Sequence, residues 1–224
     1  VAELLSLIPE SAQFVSCSAT LTEKHTNILN SLIPANSDVE RIEMPAGNVL
    51  AGNITHWVFH SERRDKIDSL RRFLVAEKPA KTLVFTAVLG QVENITSQLQ
   101  HRGIDCAALH AKLDKKDRKT AIDRFRSGKT AVLVTSDLAA RGLDIPGITH
   151  VVQMDVQENT DFFIHRAGRT ARAGKSGINA IFGDEFELRS LARLEKKLGI
   201  VIYPKALYGG KVVTPEQDIP EQDS

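Results

Sequence analysis

Short apolar runs alternate with stretches of helical period over most of the chain. Ile54 to His60 is rich in β-branched and aromatic residues and predicts a strand. Ile67, Leu70, Phe73 and Leu74 then recur among charges at the spacing of a helix. Thr82-Leu83-Val84-Phe85 predicts a buried strand, and Val92, Ile95 and Leu99 form the stripe of the helix after it. The alternation continues through a strand from Ile104 to Leu109, a helix on Ala121, Ile122 and Phe125, and a buried strand from Thr130 to Thr135. It ends with a strand from Thr149 to Met154, a short helix from about Thr160, a strand from Ile178 to Phe182, and a helix marked by Leu188, Leu191, Leu194 and Leu198. Units this short, alternating this regularly, predict an α/β fold: a parallel sheet with helices on both faces, joined by right-handed crossovers.

The ends break the rhythm. The first 48 residues predict a helix (Leu4 to Ile8), a strand (Gln13 to Ser16), a helix (Glu23 to Ile33) and a strand near Val39 to Glu43. So few elements do not close a core alone, so residues 1–48 read as the trailing part of a preceding α/β domain. Residues 49–53 read as a linker, 54–208 as the main domain, and 209–224, with Pro215, Pro220 and four acids, as a disordered acidic tail. The chain opens without Met and reads as a piece of something longer.

Composition changes this picture little. The chain has 224 residues, 42% of them hydrophobic and 25% charged, with a formal net charge of +1. Its two cysteines, Cys17 and Cys106, exclude a disulfide scaffold, and no Cys/His spacing suggests a metal site. No secretory leader or membrane-length apolar stretch is visible, so an intracellular, cytoplasmic protein is expected, with a nuclear one also compatible. The total charge hides a gradient: residues 101–175 hold 14 basic and 9 acidic residues, whereas residues 211–224 hold one basic and four acidic.

In an open α/β sheet, ligands bind beyond the carboxyl ends of the strands. Thr86, His110, Ser136-Asp137 and Asp155 all follow predicted strands. The segment from Asp137 to Pro146 (DLAARGLDIP) adds an arginine, a glycine and a second acid just past one of them, where Asp137 also suits a helix N-cap. The most pointed feature is His165-Arg166-Ala167-Gly168-Arg169-Thr170-Ala171-Arg172, whose arginines, if helical, fall on one side with little apolar cover. Three crowded guanidiniums suit forked contact with phosphate, or else make a solvated basic face; spacing alone leaves both open.

Taken together, these segments resemble the second RecA-like domain of the DEAD-box ATP-dependent RNA helicases of superfamily 2. HRAGRTARAG is similar to motif VI, TSDLAARGLDIP to motif V, and Ser18-Ala19-Thr20 to motif III at the end of the first RecA-like domain. Leu83 to Thr86 occupies the place of motif IV, and Lys115 to Arg118 that of the Q-x-x-R motif. The resemblance runs from about residue 4 to 203. It implies a RecA-like sheet preceded by a partial second α/β domain, and a cofactor, ATP with Mg2+, whose metal ligands belong to the first domain. Neither the phosphate-loop pattern G-x-x-x-x-G-K-[ST] nor D-E-A-D occurs in the sequence, so this chain by itself is expected to be inactive.

The resemblance also implies roles. Arg169 and Arg172 would be arginine fingers to the γ-phosphate, with Asp144 on the ribose. Thr86, Arg118, Ser136 and Arg141 would line the RNA backbone, and Ser18, Thr20, Asp137, His165 and Arg166 would couple the domains. The implied partners are RNA, held through its backbone, and an N-terminal RecA-like domain; a monomer is expected. The alternative is a non-catalytic RNA-binding or regulatory helicase-like module. Departures fall mainly on the RNA side: Ala87-Val88-Leu89 after motif IV, Ala111 in place of Gly, and Lys115 in place of Gln.

Overall fold

In a computed structural model of the chain, residues 9, 12–17, 23–33, 38–42, 50, 53–88, 90–157 and 159–215 are described. The chain divides into two compact units, residues 1–44 and 45–224.

In the first unit, α1 (Glu23–Leu32) carries an acid in its opening turn, where the helix dipole favours one, and buries no residue. The strands predicted at Gln13 to Ser16 and Val39 to Glu43 are not formed: residues 12–17 and 38–42 are irregular and exposed. An apolar-alternating run becomes a strand only against a hydrogen-bonding neighbour, and no strand exists among the described residues of this unit. The predicted helix from Leu4 to Ile8, together with Ser18, Thr20 and Glu43, lies outside the described residues.

The second unit holds β1 (Ile54–His60), α2 (Lys66–Glu77), β2 (Thr82–Phe85), α3 (Gln91–His101), β3 (Cys106–Leu109), α4 (Lys115–Arg126) and β4 (Val132–Thr135). It continues with α5 (Asp137–Ala140), β5 (His150–Gln153), α6 (Thr160–Ala167), β6 (Gly177–Gly183), α7 (Glu185–Leu198), β7 (Ile202–Tyr208) and β8 (Lys211–Val213). The strands form one sheet in the order β3-β4-β2-β5-β6-β1-β7-β8. Every pairing is parallel except that of β7 with β8.

Helices cover both faces, which is why β2, β4 and β5 are buried at every residue and read as continuous runs rather than alternations. Alternate side chains serve the two sides. Val84 joins Phe73, Ile95, Leu99, Val134 and Phe182 on one face, while Leu83 and Phe85 join Phe125, Leu133 and Val151 on the other. Phe163 of α6 packs with Leu191 and Leu194 of α7 in a third cluster. No helix among the described residues is long and apolar enough to cross a membrane.

Residues 209–213, expected to open a disordered acidic tail, are ordered instead. Residues 202–213 form a β-hairpin turning through Gly209 and Gly210, both at positive φ (56° and 75°), as a two-residue hairpin turn requires. The hairpin has partners: β7 pairs with β1, and Arg72 Nη2 donates to Leu207 O at 2.7 Å. Residues 216–224 lie outside the description.

Candidate functional site

The register of the sheet brings one set of strand ends together. Phe85 of β2 lies opposite Thr135 of β4 and Gln153 of β5, and Leu109 of β3 opposite Thr135. Thr86, His110, Ser136, Asp137 and Asp155 therefore follow neighbouring strands at a single edge.

At that edge α6 presents His165 and Arg166. The three arginines do not share a helical face: α6 ends at Ala167 with Gly168 as its C-cap, so only Arg166 is helical. The chain continues through Ala171 and Ala173, both left-handed (φ 55° and 56°), which breaks the expected period.

Arg166 points inward and is 1% exposed. Its Nε and Nη2 grip Asp137 Oδ1 and Oδ2 at 2.7 and 2.6 Å, and its Nη1 reaches Asp155 Oδ1 at 2.9 Å. The guanidinium carbon lies 5.6 Å from the Phe85 ring centroid, giving apolar cover that sequence did not anticipate. Burial alone lowers the pKa of this group, but the hydrogen bond to Asp137 and the charges of Asp155 and Asp137 outweigh it and raise the pKa. Asp137 is thus a carboxylate partner rather than an N-cap; Ser136 is the N-cap of α5.

Arg169 and Arg172 are differently placed. Arg169 is partly buried, and its Nη1 donates to Leu143 O at 2.9 Å. Its pKa is lowered, first by burial and then by the charge of Arg172, against a smaller opposing effect of Asp144. Arg172 is exposed, with Nε on Gly168 O at 3.1 Å and Nη1 on Asp144 Oδ1 at 2.9 Å. The Asp144 side chain is 91% exposed, so Arg172 rests on a solvated carboxylate whose charge also acts on Arg169. A pocket of about 50 Å³ opens here, lined among others by Asp137, Arg141, Phe162, His165, Arg166 and Arg169.

Of the remaining predicted residues, Arg141 and His165 line this pocket and are exposed. Arg118 Nη2 donates to Ala139 O at 2.9 Å, tying α4 to α5. Thr86 is 2% exposed: its N–H pairs with Thr135 O, and its hydroxyl accepts from Val88 N–H. Thr86 is thus buried at the end of β2, where a residue lining the RNA backbone was expected to face solvent. In the sequence Asp155 is only a polar strand end, yet it also accepts from Ala87 N–H at 2.7 Å and so joins the β2 and β5 ends to Arg166. Its signal was the position itself, an acid two residues past a buried strand. Among the described residues no group of three or more His, Cys, Asp or Glu could hold a metal ion.

Residues 65–174 match the family model described as Helicase conserved C-terminal domain. The DEAD-box ATP-dependent RNA helicase CshB of Bacillus cereus is 34% identical over 197 residues, which span 88% of this chain and 44% of CshB. Among solved structures, the E. coli DEAD-box protein SrmB, bound to regulator of ribonuclease activity A, superposes with a TM-score of 0.67 at 27% identity, covering 76% of this chain and 99% of that one. A variant of S. cerevisiae Dbp5 bound to RNA and ADP BeF3 gives a TM-score of 0.76 at 25% identity over 91% of this chain and 54% of that one. The chain thus spans less than half the length of the curated relative. With the buried α/β sheet and the arginine-bearing edge between β4 and α6, these likenesses identify the chain as carrying the C-terminal helicase domain of the DEAD-box RNA helicase family.

Proposed function

We propose that this chain supplies Arg169 and Arg172 to the γ-phosphate of an ATP held by a preceding phosphate-binding domain, and that hydrolysis there drives the remodelling of RNA. Residues 1–48 would belong to that preceding domain. The observation that carries the reading is that Arg172 is held by the exposed carboxylate of Asp144 while Arg169, near enough for the charge of Arg172 to lower its pKa, is bonded to a backbone carbonyl. Such a pair has donors to spare and an excess of positive charge, so a polyphosphate fits it. Arrival of the anion would draw Arg172 from Asp144 and free that carboxylate to accept from a ribose hydroxyl. Fingers of this kind stabilise charge that develops on a transferred phosphoryl group and contribute about 10³–10⁵ in rate. Mg2+ would neutralise phosphate charge, and its ligands would come from the preceding domain.

Arg166 has the opposite character. With its donors taken by Asp137 and Asp155, it is a strut, joining α5 to the finger-bearing end of α6. Through that strut, Asp137 and His165 would link the nucleotide to an RNA track built from Ser136, Arg141 and Arg118. These groups suit phosphates and 2′-hydroxyls rather than bases, so RNA binding would be sequence-tolerant and weaken with salt.

The test is RNA-stimulated ATPase of the full-length protein carrying this chain. Arg169→Ala is expected to lower turnover by about 10³-fold while ATP still binds. Unchanged turnover would contradict the finger assignment, and no turnover in the unsubstituted protein would favour a non-catalytic RNA-binding module.

A further inference from the structure

The segment between α6 and β6 carries both proposed fingers, yet its one fully buried side chain is neither of them. Thr170 is 2% exposed, and its hydroxyl donates to Ile148 O at 2.6 Å. Ile148 lies on the loop between α5 and β5, the same loop that offers Leu143 O to Arg169 and Asp144 to Arg172. These three side-chain links join the two segments; that of Thr170 is buried, that of Arg169 partly buried and that of Arg172 exposed. Water competes most for the less buried links, so the fully shielded one defines the geometry.

Two neighbours hold Thr170 in place. A Cβ added to Gly177 would fall 2.1 Å from Thr170 Oγ1 and 2.9 Å from Ala171 N, so the threonine is seated where only glycine leaves room. Gly177 cannot retreat, because it opens β6 opposite Ile54 and donates its N–H to Asn53 O at 2.8 Å. On the other side, Thr170 N–H closes onto Ala167 O at 3.1 Å, fastening it to the end of α6. Ala171 then turns left-handed (φ 55°), reversing the chain so that Arg172 returns toward Asp144. Arg169 immediately precedes this anchor and Arg172 follows two residues later.

We infer that Thr170 is a positioning residue of the arginine site, its hydroxyl bonded to Ile148 and its side chain wedged against Gly177, so that it sets where Arg169 and Arg172 stand relative to the Leu143–Asp144 loop. This deepens the proposed function and rests on it. Arginine fingers act through geometry, and a displacement of about 1 Å at such a site costs about 10²-fold in rate. Thr170→Val keeps the shape and removes the donor; Thr170→Ser keeps the donor.

The experiment measures kcat and KM for ATP at saturating RNA in the full-length protein for Thr170→Val, Thr170→Ser and Arg169→Ala. It also measures amide hydrogen exchange over residues 168–174 in this chain without nucleotide. Thr170→Val is expected to lower kcat about 10- to 100-fold with KM changed less than about threefold, and to speed exchange in that segment. Thr170→Ser should restore both. Wild-type kcat and exchange in Thr170→Val would overturn the inference, as would equal losses in Ser and Val, which would assign the effect to packing of the methyl. Should Arg169→Ala retain full kcat, the finger reading itself fails, whereas loss in Arg169→Ala beside an intact Thr170→Val removes only the positioning role.

Discussion

Arg166 shows how far a side chain's environment can differ from what its spacing suggests. As one of three regularly spaced arginines it looked like part of a solvated or phosphate-facing set, yet it lies inside, between Asp137 and Asp155 and against Phe85. Nothing in H-R-A-G-R by itself says which guanidinium turns inward; that depends on Gly168 ending α6 one residue after Ala167. Arg166→Met should leave both carboxylates without their counter-charge and cost about 3 kcal/mol, read as a lowered urea midpoint. His56 makes a second residue-scale case. It is 3% exposed, its Nδ1 accepts from Asn179 Nδ2 at 3.0 Å, and it packs 5.6 Å from the Phe163 ring. Burial lowers its pKa from 6.5 to about 4, and burial does the same to His150. Below pH 6.5 the unfolded chain takes up protons that the folded chain refuses until about pH 4. These histidines therefore contribute stability that is complete above pH 6.5 and is lost as the pH falls toward 4. Each contributes a slope of roughly 1.4 kcal/mol per pH unit in that window. Urea unfolding at pH 7 and pH 5 should show the loss, and His56→Gln should make the pH dependence shallower.

Elements were legible where burial was symmetrical and local. TLVF, VLVT and HVVQ appear as short apolar runs because helices cover both faces of the sheet there, and the helices between them carry ordinary apolar stripes. The apolar stripe of α7 was readable, and the structure adds its ends: Asp184 and Glu187 form a reciprocal capping box, and Gly199 (φ 62°) ends it. Asp184→Ala should cost about 1 kcal/mol and lower the melting temperature by about 2–4 °C. The β7–β8 hairpin was hidden because its residues are half exposed and include Pro204 and Lys205, so no clean period survives. Its stability comes from pairing with β1, a contact between residues about 145 positions apart that no local pattern reveals. The opposite error occurred near residues 13–16 and 39–42, where strand-like composition has no neighbouring strand to pair with among the described residues.

At the scale of the whole molecule, a net charge of +1 averages a basic stretch with an acidic end, and the basic excess lies in the stretch that bears the arginine edge. The edge is built by topology: strand order places β4, β2 and β5 side by side, so DLAARGLDIP and HRAGRTAR meet although about 30 residues separate them. Which residues would carry charge was therefore legible as motifs, whereas the division of labour between the Arg166 strut and the Arg169–Arg172 pair needed the fold. The central claim is that this pair faces a γ-phosphate. Its most direct test compares the affinities of the full-length protein, bound to RNA, for ADP BeF3 and for ADP. Wild-type protein should prefer ADP BeF3 by at least about tenfold, and Arg169→Ala with Arg172→Ala should erase that preference while leaving ADP affinity nearly unchanged. A preference that survives the double substitution would contradict the account.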